Sequence, residues 1–250
     1  MSASVEIRKL TTPQELFEAA ADEILRAANQ AVTERGRFTF VLSGGSTPEK
    51  LYTLLAINAR ASLPWDKVFF FWGDERHVPP DHSDSNYRMA EQAMLAKIPV
   101  APGNVFRIPA ENPDAAAAAE GYEQTLRKFF ALQTERLPQF DLILLGMGPD
   151  GHTASLFPQT PALRETSRLV VANWVEKLNA SRITFTLPVL NAARRVMFLV
   201  SGTDKAPALR AVLEGDAPGE QYPAKLVRPQ AGKLIWFVDR AASSELRTTI

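Results

Sequence analysis

Apolar residues in this chain follow two patterns. From Pro13 to Arg35, Leu16, Ala20, Ile24, Ala27 and Ala31 recur every three or four positions behind a Thr12-Pro13 start, the spacing that gives a helix one apolar stripe. Gly36 supplies the stop. Elsewhere the apolar residues gather in short stretches, rich in β-branched and aromatic side chains, at 38–42, 67–72, 140–145, 168–172, 182–186, 196–200 and 234–238. These read as strands. Helical spacing returns at 47–61, 85–97, 113–136 and 203–213, the third opening on an alanine run that Tyr122, Leu126 and Phe129 carry forward as helix.

Strands without alternation, separated by amphipathic helices, predict a sheet covered on both faces. The expected fold class is α/β: a mainly parallel, doubly wound, Rossmann-like sheet with flanking helices, in one domain over residues 1–250. There is no internal repeat and no evident linker; 158–161 and 218–229 are expected as surface loops.

Composition adds exclusions. The 250 residues are 46% hydrophobic and 22% charged, with 28 Lys plus Arg against 28 Asp plus Glu. Bulk charge therefore gives no reason to expect a nucleic-acid or membrane partner, and an anionic ligand must be held by local groups. With no cysteine, disulfides, thiolate metal sites and a thiol nucleophile are ruled out. The N-terminus lacks a signal peptide's apolar stretch of roughly 7–15 residues, and no run approaches the roughly 18 apolar residues of a membrane span. A cytoplasmic location is expected.

Ligands of open parallel sheets bind beyond the carboxyl ends of the strands. Four strand ends carry glycine and polar residues: Ser43-Gly44-Gly45-Ser46-Thr47-Pro48, Gly73-Asp74-Glu75-Arg76, Gly146-Met-Gly148-Pro-Asp150-Gly151-His152, and Ser201-Gly-Thr-Asp-Lys205. The first suits an anion, because glycine lets backbone N–H groups approach it, the hydroxyls add donors, and Pro48 fits a helix's first turn. The same residues suit a tight strand-to-helix turn with no ligand. They match neither the dinucleotide fingerprint nor a P-loop, which disfavours a nicotinamide-dependent dehydrogenase.

Arg76 and Lys205 can each neutralise a phosphate or stand as solvated charges, and Arg182 opens a strand either inward or as a cap. Asp74 and Glu75 offer acid–base groups, although a carboxylate pair in a loop is ordinarily solvated. His77, Asp81, His82 and Asp84 have ligand chemistry but irregular spacing in a Pro-rich loop, so a solvated turn is expected there and no metal is assigned. His152 is one of three histidines; Asp150 two residues earlier can fix its tautomer and support it as a general base. The competing reading is a helix-start histidine satisfied by backbone.

Taken together these segments resemble the 6-phosphogluconolactonase family. The resemblance rests on Val41 to Pro48, Trp72-Gly-Asp-Glu-Arg-His-Val78 with Ser85-Asn-Tyr87, and Gly146 to Pro158. It continues through Arg182 to Pro188, Ser201 to Ala206, Tyr222 to Pro229 and Gly232 to Asp239, in order over nearly the whole chain. It implies hydrolysis of 6-phospho-D-glucono-1,5-lactone to 6-phospho-D-gluconate in the oxidative pentose phosphate pathway, without a required cofactor. The implied partner is the phosphorylated lactone, and the protein a monomer or small homo-oligomer without nucleic-acid or membrane partners.

Two alternatives accompany it. A glucosamine-6-phosphate deaminase/isomerase shares the fold, the phosphate turn and an Asp-Gly-His motif, but places a glutamate where this chain has Phe157. A non-catalytic sugar-phosphate-binding module would need the turn without the Asp150–His152 pair.

On the lactonase reading His152 is the base that activates water, Asp150 either orients it or contacts the substrate, and Arg76 serves the carbonyl or the phosphate. Ser43, Gly44, Gly45 and Ser46, with Lys205 and Arg182, would hold the phosphate. Asp74, Gly148 and Gly151 would complete the pocket.

Overall fold

The computed structural model describes residues 4–58 and 63–247. In chain order its elements are β1 (Ser4–Leu10), α1 (Pro13–Arg35), β2 (Phe38–Leu42), α2 (Ser46–Asn58), β3 (Val68–Trp72) and β4 (Asp74–Arg76). Next come α3 (Asn86–Ala93), β5 (Val105–Phe106), α4 (Ala115–Phe129), β6 (Leu142–Leu145) and β7 (Val170–Val175). The chain closes with β8 (Ala180–Phe185), α5 (Leu187–Asn191), β9 (Arg195–Val200), α6 (Ala206–Leu213) and β10 (Lys233–Asp239). Among the described residues no helix is long and apolar enough to cross a membrane.

The main sheet has seven strands in the order β1-β10-β9-β6-β2-β3-β5, all its pairings parallel. This is the expected parallel α/β sheet with flanking helices. β2 and β6 are buried at every position, which explains why their sequences are apolar but for Thr39. From β2 the chain moves outward through β3 to β5; from β6 it moves the other way through β9 and β10. The crevice between the ends of β2 and β6 is therefore the sheet's switch point, where such folds bind ligands.

α1 spans the residues its spacing predicts. Thr12 Oγ1 accepts the Glu15 N–H at 3.2 Å, Glu15 accepts the Thr11 N–H at 2.9 Å, and Gly36, at φ 71°, closes the other end onto Val32 O, so both ends are capped by local chemistry. α4 is shorter than the predicted 113–136. Asp114 caps its start, but Ala131 and Glu135 take left-handed backbone, and Phe130 turns to pack edge-on against Phe140, with ring centroids 4.9 Å apart. The predicted helix at 47–61 begins as α2; its positions 59–61 lie outside the described residues.

Three departures have physical causes. β1 was not predicted, because Glu6, Arg8 and Lys9 interrupt its apolar residues; it is an edge strand, where charge protects an open edge and where Lys233 and Arg8 both pair with Glu6. The runs at 168–172 and 182–186 are strands, but they belong to a separate antiparallel sheet, β4-β8-β7. In that sheet β7 starts at Val170, because Arg168 and the Leu169 N–H are bound to buried Glu123 on α4, both at 2.9 Å.

Asp141 also heads a strand end, the one opposite the crevice. It is buried and accepts hydrogen bonds from Thr39 N and Thr39 Oγ1, both at 2.8 Å, and from Arg35 Nε at 2.9 Å. It thus ties the end of α1 to the starts of β2 and β6. Asp141→Ala should lower the unfolding free energy by about 3 kcal/mol, because it leaves the buried Thr39 N–H without its acceptor and takes from Arg35 one of its two carboxylate partners. Urea denaturation measures this; a loss below about 1 kcal/mol would contradict the clamp.

Candidate active site

The crevice opens into a cleft of about 560 Å³, within the range for a small-molecule site. It is lined by Ser43, Gly44, Gly45, Ser46, Asp74, Arg76, Gly148, Asp150, His152, Arg182 and Lys205. The four strand ends singled out in the sequence therefore converge. Gly151 is the exception: it does not line the cleft, and a Cβ there would lie 2.7 Å from Tyr222 Cδ1. Its requirement for glycine comes from left-handed backbone, at φ 73°, together with close packing under Tyr222.

The turn after β2 is held from below. Tyr52, fully buried on α2, accepts the Ser43 N–H at 2.8 Å and donates to Ser43 O at 2.9 Å. Burial pushes its phenol far above the ordinary value, so the hydroxyl stays neutral and can do both. Gly44 faces Asn86, whose Oδ1 would lie 1.9 Å from an added Cβ. Close approach of Asn86 thus demands glycine at the centre of the turn.

Asp74 and Glu75 are not the solvated pair expected: they are 7% and 2% exposed. Glu75 accepts the backbone N–H groups of Asn86 at 2.7 Å, Tyr87 at 2.8 Å and Arg76 at 2.8 Å, and the Ser85 hydroxyl at 3.1 Å. It caps the start of α3, where a carboxylate meets the positive end of the helix. Burial raises the Glu75 carboxyl pKa against the pull of those N–H groups. Asp74 accepts the Ser155 hydroxyl at 2.7 Å, and its backbone carbonyl accepts from Asn86 Nδ2 at 3.0 Å.

β4 pairs with β8 so that Arg76 lies directly opposite Arg182. Like charges in cross-strand register are unfavourable on their own. Burial first, and then the charge of Arg76, lower the Arg182 guanidinium pKa. Arg76 donates to the Asp84 carbonyl at 2.6 Å and Arg182 to the Ser181 carbonyl at 3.0 Å, so neither hydrogen bond neutralises the charge. An anion in the cleft would. Lys205, at the start of α6, is 2.9 Å from neighbouring Asp204.

No helix begins at His152. The loop after β6 closes on itself through Gly148 N to His152 O at 2.9 Å and Gly151 N to Gly148 O at 3.0 Å. Thr153 Oγ1 donates to Gly146 O at 2.9 Å, and Asn173 Nδ2 to Ser155 O at 2.9 Å. Gly148 must be glycine, because a Cβ would fall 2.1 Å from the His152 ring.

The imidazole Nδ1 is 2.5 Å from Asp150 Oδ1. A carboxylate accepts, so Nδ1 carries the proton, and in the neutral ring Nε2 is the atom with the lone pair. Among the described residues nothing hydrogen-bonds Nε2. Phe157 stacks on the ring with centroids 4.1 Å apart and planes at 22°, fixing its plane. Burial opposes ionisation of Asp150, but the hydrogen bonds from His152 and Lys177 outweigh it and hold the carboxyl well below its usual range.

The other histidines stand apart from the cleft. His77 Nε2 lies 2.7 Å from Asn112 O, and His82 Nδ1 accepts the Asp84 N–H at 3.1 Å. No group of three or more His, Asp or Glu side chains among the described residues could hold a metal ion.

Sequence reading missed Lys177, Asn86, Ser155 and Tyr52. Tyr52 falls on the buried face of α2 within nine residues of Ser43, a signal that helical periodicity contains. Lys177 meets the site only through the β7–β8 hairpin, which leaves no local trace.

Comparison with known proteins bears on the family and the fold. The profile of the family described as glucosamine-6-phosphate isomerases/6-phosphogluconolactonase matches residues 11–236. A 6-phosphogluconolactonase of Synechocystis sp. is 44% identical over 99% of this chain and 100% of its own. The solved 6-phosphogluconolactonase from Trypanosoma cruzi superposes with a TM-score of 0.86 at 30% identity, covering 99% of each chain. A monomeric glucosamine-6-phosphate deaminase shares the fold, with a TM-score of 0.80 at 22% identity over 96% of this chain and 99% of its own. With the profile spanning most of the sequence and the Synechocystis relative matched from end to end, this chain belongs to the glucosamine-6-phosphate isomerase/6-phosphogluconolactonase family.

Proposed function

We infer that this protein hydrolyses 6-phospho-D-glucono-1,5-lactone to 6-phospho-D-gluconate, the second step of the oxidative pentose phosphate pathway. One observation carries the reading: an imidazole whose Nδ1 is fixed by Asp150 at 2.5 Å shares a cleft with two arginines in direct cross-strand register. That supplies a base and a cationic anion site together. Phe157 supports the lactone over an amino sugar, because a phenyl ring stacked on His152 cannot perform the proton transfer of ring opening.

In this mechanism Nε2 of His152 takes a proton from water as its oxygen bonds to lactone C1. The carbonyl electrons move onto oxygen, and Arg76 stabilises the resulting oxyanion. As the oxyanion collapses, the bond from C1 to the ring oxygen breaks, and the imidazolium returns the proton to that oxygen. Water and lactone thus yield the open acid, with no covalent enzyme intermediate.

Asp150 keeps the imidazole in the tautomer that can act and stabilises its cation. The turn 43–46, Lys205 and Arg182 hold the phosphate, and binding energy at that remote group positions C1 for attack. Asp74 and Gly148 complete the pocket. The working unit is the α/β chain of residues 1–250, in the cytoplasm, alone or in a small homo-oligomer.

Two measurements test these roles, each after subtraction of spontaneous lactone hydrolysis. His152→Ala should lower kcat by about 10²- to 10⁴-fold while leaving the Kd of 6-phosphogluconate within about threefold; near wild-type turnover contradicts the base assignment. Lys205→Ala should raise KM for the phosphorylated lactone by about tenfold, the value of one charge-assisted contact, while scarcely changing turnover of unphosphorylated glucono-1,5-lactone. Equal losses on both substrates would remove Lys205 from the phosphate site.

A further inference from the structure

Lys177 lies at the tip of the β7–β8 hairpin, in a single helical turn closed by Asn179 at φ 46°. Its ammonium donates to Asp150 Oδ2, while the other oxygen of the same carboxylate meets His152 Nδ1 at 2.5 Å. His152 stacks on Phe157 at 4.1 Å, and Lys177 Nζ sits over that phenyl ring, 4.8 Å from its centroid. Four side chains therefore form a closed circuit: ammonium, carboxylate, imidazole, phenyl and back to ammonium. Three come from the loop after β6. Only Lys177 comes from the small sheet.

We propose that Lys177 is a positioning residue for the hydrolysis, holding the carboxylate that orients His152 and offsetting that carboxylate's charge so that the imidazole remains a free base. The proposal rests on the reading of His152 as base. Its physics is a balance. An ionised carboxylate on Nδ1 fixes the tautomer but also favours the imidazolium, which cannot accept a proton from water. An ammonium on the far oxygen reduces that bias without removing the hydrogen bond.

The other ionisable side chains lining the cleft are Asp74, Arg76, Arg182 and Lys205. Asp74 is engaged by Ser155 and Lys205 by Asp204. Lys177 alone among these cations contacts the carboxylate of the pair.

A purely structural role fits the observations poorly. The Lys177 side chain is 52% exposed, and an ion pair so open to solvent contributes little to stability. The loop is pinned without it, through Thr153 to Gly146, Ser155 to Asp74 and Asn173 to Ser155. What Lys177 adds is charge at Asp150 and a cation on the face of Phe157.

The test is the pH dependence of kcat and kcat/KM for the wild-type chain, Lys177→Met, Lys177→Gln, Lys177→Arg and His152→Ala, acting on 6-phosphogluconolactone with the spontaneous rate subtracted. Lys177→Met and Lys177→Gln should each move the acid limb of kcat/KM to higher pH by about one pH unit. They should lower kcat near pH 7 by about tenfold and leave KM within about twofold. Lys177→Arg, which keeps the charge, should restore most of the rate and return the limb. A limb that coincides with wild type in both neutral variants, or an arginine variant as impaired as they are, would overturn the proposal. If these results came with a collapsed rate in His152→Ala, the base assignment would survive and this inference alone would fail. Wild-type turnover in His152→Ala would overturn both.

Discussion

Buried charge at the end of β3 organises this molecule. Glu75 and Asp74 follow Gly73 where the chain leaves the main sheet, and burial obliges their carboxylates to find donors. Glu75 takes four, three from Ser85, Asn86 and Tyr87 at the start of α3 and one from the Arg76 backbone. Asp74 takes Ser155 from the loop after β6, and its carbonyl holds the Asn86 side chain against Gly44 of the turn after β2. Two consecutive acids thus fix the turn after β2, the loop after β6 and α3 relative to one another. The same segment pairs with β8 and brings Arg76 opposite Arg182.

The site that results separates two electrostatic tasks. The chain carries equal numbers of acidic and basic residues, yet the cleft gathers Arg76, Arg182, Lys177 and Lys205 against Asp74 and Asp150. Arg76 and Arg182 hydrogen-bond backbone carbonyls rather than carboxylates, which leaves their guanidinium groups open to an anion. At the other task, Asp150 divides its two oxygens between His152 and Lys177, so it orients the imidazole while part of its charge is offset. A phosphorylated lactone needs both, an anchor remote from the reacting carbon and a base beside it.

How much of this was legible in the sequence follows from the range of each interaction. Continuous burial made β2, β3, β6, β9 and β10 apolar runs, and local caps gave α1 its exact ends. The glycine-bearing strand ends were legible because a parallel sheet sends them all to one edge. Long-range pairing was not. Nothing near Arg168 or Arg182 says that their strands join β4 in a second sheet, and the charges of β1 hide an edge strand. Asp74 and Glu75 read as solvated because all their donors but the adjacent Arg76 N–H lie 10 to 81 residues away. Gly151 was placed in the pocket by its position in the motif, whereas Tyr222, distant in sequence, decides its role. Lys177 escaped for the same reason, with Asp150 lying 27 residues earlier.

The central claim is that this cleft pairs an anion anchor with a base built for water attack on a lactone, with Phe157 closing the route to amino-sugar chemistry. One comparison on the unaltered protein tests it most directly: initial rates of 6-phosphogluconolactone hydrolysis and of ammonia release from glucosamine 6-phosphate, measured on the same preparation. The account predicts rapid lactone hydrolysis above the spontaneous rate and no ammonia release above background. Ammonia release without lactone hydrolysis would contradict it.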